Sequence, residues 1–302
     1  MFGHRKKYVK KGTIPIYKSA VSFTYAMVFV IVAYVVAAVI QIAFNPAESN
    51  PVFYASGFFL ISLALFFASL FTVKKNALDV KDVTKFKFHP KFIAVILFTL
   101  FGTLFGFSKL NDYFVAFLQT FGYVPNVITL PEKSVASIIV CVVFIAVIPA
   151  VTEEFLFRGL LLKSSEYFGK VFAVIISATA FSLYHMSPAQ TIYQFVLGVI
   201  YGFIALSSGS VLPTIILHFL NNFTVIVLNY FFPTFNPEFN VEIILAVSGV
   251  LSVVCALMIT LYKFDFSKPK CAEKEEKTDY AILVLLGFFI CAVMWIAQLF
   301  VK

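Results

Sequence analysis

The chain has 302 residues, 61% of them hydrophobic and 13% charged, with a mean hydropathy of +0.96 and a formal net charge of +8. Soluble domains run at roughly 45–50% apolar and about 25% charged, so a water-soluble core is excluded, and disordered, collagen-like and disulfide-scaffold readings fall with it. What remains is all-α, a polytopic membrane helix bundle of about 8–9 transmembrane helices.

A spanning helix needs about 20 mostly apolar residues. In chain order the runs are Ser19–Phe44, Val52–Val73, Phe92–Ser108, Val135 to about Leu162, Val171–His185, Ala189–Leu206, Val211–Phe232, Val241–Tyr262 and Tyr280–Val301. The first follows a basic start but has no small-residue cleavage site, so it reads as an uncleaved signal anchor. Phe114–Val124 is shorter and is expected to be re-entrant or interfacial. Two Gly-x-x-x-Gly steps, Gly102/Gly106 and Gly198/Gly202, let helix backbones approach closely. Cys141, Cys255 and Cys291 lie in apolar runs and Cys271 in a charged loop, without metal-ligand spacing, so free thiols are expected.

The basic excess is topological. Six Lys and Arg precede the first run (Arg5, Lys6, Lys7, Lys10, Lys11, Lys18), and six separate the second from the third (Lys74, Lys75, Lys81, Lys85, Lys87, Lys91). Five more lie between the last two (Lys263, Lys268, Lys270, Lys274, Lys277), whereas Asn45–Pro51 and Pro233–Asn240 have none. By the positive-inside rule the N-terminus and both Lys-rich loops are cytoplasmic, in a multi-pass protein of the cell membrane. Membrane lipids are then the implied partners and nucleic acid is not needed. His4 and His89 belong to these solvated basic segments. Nothing in the sequence fixes an oligomeric state.

Glu153 and Glu154 stand apart from the other acidic residues, inside the fourth apolar run with Arg158. An ionised side chain at the centre of a spanning helix costs roughly 2.5–3.5 kcal/mol by insertion measurements, so the three need a reason. Glu154 and Arg158 are four apart on one helical face, in the favoured order, and can neutralise each other. Arg158 is one of only two arginines, and its planar fork suits two-point carboxylate contact. Glu153 points about 100° away, with Phe157 at its own i+4 position, and so has no local counter-ion. An unpaired carboxylate is the one available as a general base. A bland alternative is that both acids merely cap a helix end beside a loop.

His185 ends Phe181-Ser-Leu-Tyr-His185, and His218 lies in Leu217-His-Phe-Leu-Asn-Asn222. His218 and Asn222 share a face; Asn221 is a weaker candidate for the same role. Measured from cytoplasmic ends near Lys163, Lys170 and Ser210, Glu153, His185 and His218 lie roughly 15, 22 and 12 Å inward at 1.5 Å per residue, so tilted helices could bring them together. A kink is expected at Pro149.

These residues resemble the three motifs of the CAAX-protease and bacteriocin-processing (Abi, CPBP) family of intramembrane endopeptidases. The pattern reads here as Glu153-Glu154-x-x-x-Arg158, Phe181-x-x-x-His185 and His218-x-x-x-Asn222, in order, between Ser134 and Phe232. The resemblance implies hydrolysis of a peptide bond in a membrane cavity open to the cytoplasm, acting on a peptide or lipidated-protein substrate. Prenylated CAAX tails, peptide pheromones and bacteriocin leaders are all of this kind. It further implies that Glu153 and His185 activate water, that His218 and Asn222 stabilise the oxyanion, and that Glu154 with Arg158 holds the helix. The domain plan is accordingly 1–18 a basic tail, 19–133 N-terminal transmembrane helices, 134–232 the catalytic core and 233–302 C-terminal helices. A metal-free glutamate mechanism is preferred; were Zn2+ used, Glu153, His185, His218 and Asn222 would be its ligands, although no His-Glu-x-x-His pattern is present. Two other classes use buried acids and histidines: a non-catalytic immunity factor or scaffold with a structural polar cluster, and an ion-coupled transporter.

Overall fold

The computed structural model describes residues 16–45, 50, 53, 55–125, 130–233, 239–266 and 273–300. Among them there is no strand, and the long helices are α1 (Ile16–Phe44), α2 (Gly57–Lys75), α3 (Lys91–Gln119), α4 (Val135–Glu166), α5 (Lys170–Tyr184), α6 (Pro188–Ser208), α7 (Leu212–Phe231), α8 (Asn240–Leu261) and α9 (Lys274–Gln298). All except α5 are long and apolar enough to cross a membrane. At 15 residues, α5 rises only about 22 Å, short of the ~30 Å hydrocarbon layer. His4, Arg5, Lys6, Lys7, Lys10, Lys11, Lys268, Lys270, Cys271 and Lys302 lie outside the described residues, as do most of the loops at 45–51 and 233–240.

Two boundaries differ from the sequence expectation. Phe114–Val124 is not a separate re-entrant segment: Phe114–Gln119 forms the last turns of α3. Hydropathy breaks at Lys109 and Asn111, but both side chains are used where they stand. Lys109 pairs with Glu242 of α8 at 2.6 Å, and Asn111 donates to the Ala189 carbonyl at 2.7 Å. The start of α9 lies at Lys274, ahead of its apolar run, because Glu273 and Glu276 form a reciprocal capping box there.

Hydrogen bonds between loops identify the two ends of the bundle. At one end Val211 N–H donates to Thr84 O and Lys87 N–H to Ser210 Oγ, while Lys170 pairs with Asp265. This end gathers Lys74 to Lys91, Lys163, Lys170, Lys263, Lys274 and Lys277. At the other end Tyr123 Oη accepts from Ala189 N–H, and Tyr230 Oη donates to Pro131 O. Between the ends a core of Phe23, Met27, Leu65, Phe92, Leu156, Phe157, Phe181 and Tyr201 is buried, drawn from six helices. The outward faces are apolar, as lipid requires: Ile42 is 82% exposed, Ile244 66% and Phe289 66%.

The small-residue steps are where helices touch. A Cβ added at Gly249 of α8 would meet the Gly106 nitrogen at 2.5 Å, and one at Gly102 the Gly249 carbonyl at 2.6 Å. Gly198 of α6 lies equally close to Ala178 of α5, at 2.7 Å. We therefore expect Gly249→Val to separate α3 from α8 and lower stability by about 1–3 kcal/mol, read as a drop in thermal midpoint in detergent. Gly57→Ala, where an added Cβ meets nothing within 4 Å, is the control.

Candidate active site

The site begins with two adjacent acids on α4. Both are buried, Glu153 at 6% and Glu154 at 0% exposure, which removes the helix-end reading. They lie in a seven-residue α-helical stretch, Ile148–Glu154, between two π-wound segments, Val142–Val147 and Phe155–Leu161. A π-winding inserts an extra residue per turn and re-aims the side chains beyond it, and it frequently accompanies functional sites.

Glu154 has its expected partner and a further one. Its Oε1 accepts from Arg158 Nη1 at 2.8 Å and from His218 Nδ1 of α7 at 3.0 Å. Two-point contact with Arg158 is not made: Nη2 instead reaches the Gly198 carbonyl of α6 at 3.4 Å. The guanidinium is fully buried, its carbon 4.3 Å from the Phe181 ring centroid and 5.1 Å from that of Tyr201. Phe181, the aromatic of the second motif, is thus a cation–π platform under Arg158.

Glu153 has no counter-ion on its own helix. His218 Nε2 is 3.9 Å from its Oε2, which has no hydrogen-bond partner among the described residues, and the Tyr184 hydroxyl of α5 is directed at its carboxyl. His185 sits just past the end of α5, where its Nδ1 donates to the Phe181 carbonyl at 2.7 Å. A carbonyl only accepts, so this bond puts the proton on Nδ1 and leaves Nε2 with a free lone pair.

Asn222 has a bond that no spacing rule suggests. Its Nδ2 donates to the Ile145 carbonyl on α4 at 2.9 Å. Ile145 lies in the π-wound segment that precedes Pro149, so this bond ties the irregular part of α4 to α7. Asn221 donates to Asn222 Oδ1 at 3.3 Å and accepts from the Tyr193 hydroxyl at 2.8 Å. Tyr184, Tyr193 and the Ile145 carbonyl escape the sequence reading because tyrosines and a backbone oxygen within apolar runs give no periodic or charge signal.

Glu153, His185, His218 and Asn222 line one cavity of about 1010 Å³, together with Tyr184, Tyr193 and Asn221. From Glu153 the lining continues past Gln194 and Asn111 to Asp112, Asn229 and Gln298, at the end of the bundle opposite the Lys-rich loops. A cytoplasmic cavity and cytoplasmic Lys-rich loops are therefore incompatible expectations. Among the described residues, no group of three His, Cys, Asp or Glu side chains is arranged to hold a metal ion. The Glu154 bond to His218 Nδ1 and the Phe181 carbonyl bond to His185 Nδ1 leave the two Nε2 atoms as the imidazole positions open to the cavity, and with no third His, Cys, Asp or Glu among the described residues grouped with them no step is routed through a metal.

Residues 135–224 match the family model described as type II CAAX prenyl endopeptidase Rce1-like. All three motifs fall inside this segment. No curated protein matches the chain.

The link between α7 and α4 is open to a direct test. Asn222→Ala should lower stability by about 0.5–1.5 kcal/mol by removing the bond to the Ile145 carbonyl, read as a drop in thermal midpoint in detergent.

Proposed function

We propose that the chain is an intramembrane endopeptidase in which Glu153 and His185 activate water against a peptide bond. The carrying observation is a buried carboxylate that forms no ion pair within its own helix, where Arg158 is taken up by Glu154, and that faces a cavity two imidazoles from other helices also line. Glu153 takes a proton from the water as its oxygen attacks the carbonyl carbon, while the His185 Nε2 lone pair accepts the second water hydrogen in a hydrogen bond. The carbonyl oxygen becomes an oxyanion, to which we assign as donors the second N–H of Asn222 and, in the imidazolium form that carries a proton on both ring nitrogens, the Nε2–H of His218. When the C–N bond breaks, Glu153 returns the proton to the leaving amine.

In this reading Glu154 is a positioning residue. It accepts the Nδ1 proton of His218 and so turns Nε2 toward Glu153 and the cavity. Tyr184, whose hydroxyl bonds the Glu153 carboxyl, restrains it from α5. The carboxamides of Asn111, Gln190 and Gln194 are suited to hold the backbone of an extended peptide, and Phe58 and Leu104 to hold its apolar side chains.

Glu153→Gln keeps the shape and removes the base; turnover should fall by about 10²–10⁴-fold while the thermal midpoint stays close to that of the parent. His185→Ala should behave likewise. The readout is the peptide content of cells expressing parent or variant, followed by cleavage of the peptides so found in proteoliposomes. Cleavage at the parental rate by a folded Glu153→Gln protein would sink the assignment.

Because no step needs a metal, protein exhaustively treated with a strong chelator should keep its cleavage rate. Complete loss restored by Zn2+ alone would overturn the glutamate mechanism.

A further inference from the structure

We propose that the cavity is loaded from the non-cytoplasmic side of the membrane, by extended peptide segments that reach the outer leaflet. The fate of the peptide rests on the hydrolytic reading above; the side of entry rests on separate observations.

The first is where the cavity ends. Glu153 lies at its inner limit, and Asp112, with a side chain 65% exposed, and Asn229 lie at its outer one. None of the lysines of the Lys-rich end lines it. Second, the path from Glu154 to that end is filled. Residues 155–162 are all buried, and Phe157 packs against Phe23, Phe181 and Tyr184 at centroid distances of 6.3, 5.3 and 5.4 Å. The Arg158 guanidinium closes the same layer between Phe181 and Tyr201. Third, α5 explains why the space lies where it does. Its 15 residues run from Lys170 at the Lys-rich end and stop short of the opposite surface, so the turn at His185–Ser187 becomes a floor. The volume beyond that floor, bounded by α3, α4, α6 and α7 and flanked by α1, α2 and α9, is the cavity.

The lysines then assign the sides. Among the described residues the Lys-rich end carries Lys18, Lys74 to Lys91, Lys163, Lys170, Lys263, Lys274 and Lys277, against Lys109 and Lys133 at the other. A bias of that size sets the Lys-rich end in the cytoplasm. The occupant is set by the wall, which offers uncharged amides beside apolar side chains, the surface an extended peptide backbone needs. A lipidated tail presented from the cytoplasm would meet the packed layer of Phe157 and Arg158 instead. The substrate class is therefore an exported peptide, or a membrane segment cut near its outer end.

Single-cysteine proteins test this without relying on activity. With Cys141, Cys255, Cys271 and Cys291 replaced by serine, Asn229→Cys places a thiol at the outer part of the cavity and Lys87→Cys one in a Lys-rich loop. The parental thermal profile is required of each. A membrane-impermeant charged maleimide added to intact cells should label Asn229→Cys and leave Lys87→Cys unlabelled, and the pattern should reverse in inverted vesicles. Asn229→Cys labelled only in inverted vesicles, Lys87→Cys labelled in intact cells, or no labelling of Asn229→Cys in either preparation overturns the proposal. Failure of the protease reading would instead appear as unimpaired cleavage by Glu153→Gln, whichever side is labelled.

Discussion

The bundle is organised around one carboxylate oxygen. Glu154 Oε1 accepts a guanidinium from its own helix at 2.8 Å and an imidazole from α7 at 3.0 Å, and all three side chains are buried. Desolvating such charges costs several kcal/mol each, and only close pairing offsets it. The guanidinium is in turn held between an α5 ring and an α6 ring and reaches an α6 carbonyl. Four helices are thus referred to a single point, and little freedom remains for His218, whose other nitrogen faces Glu153.

Next to that anchor, Glu153 is nearly its opposite. Successive residues of a helix point about 100° apart, so one acid can be tied into the frame while its neighbour looks into the cavity. The π-wound segments on both sides of Ile148–Glu154 make this a local setting, with the regular stretch carrying both acids held between two re-aimed ones. The short α5 completes the arrangement. A full-length helix there would occupy the volume that now lies beyond His185, and the carboxylate would be sealed.

Much of this was legible in the sequence because charge in an apolar run is costly and has to be explained. Glu154 with Arg158 followed from i, i+4 spacing, and the isolation of Glu153 from the absence of a cation at its own i+4 position. Helix existence followed from apolar length, and the glycine steps do mark the tightest crossings. Illegible were the contacts made between helices. His218 was paired by spacing with Asn222, yet its hydrogen bond goes to Glu154, sixty-four residues away. The end of α3 was misread because Lys109 and Asn111 look like a stop until Glu242 and Ala189 supply their partners. Likewise, the direction of the cavity is a property of the assembled helices, since it depends on which of them is short.

The three motifs share a construction that the geometry makes intelligible. Each contains a pair of residues four positions apart, and each joins a group facing the cavity, or directly behind one that does, to a group that fixes the same helical turn. Arg158 locks the turn after Glu153 and Glu154; Phe181 offers its carbonyl to His185 and its ring to Arg158; Asn222 caps the Ile145 carbonyl one turn beyond His218. The i, i+4 interval recurs because side chains at that interval lie one above the other on a helix, so a reactive group and its brace can meet the same neighbour. Asn222 shows the economy of it. Its bond to Ile145 ties α7 to the π-wound part of the helix that carries Glu153, and the same residue still lines the cavity beside His218. A motif of this kind specifies a pair of positions across two helices, and that explains why all three must occur together before any one of them has meaning.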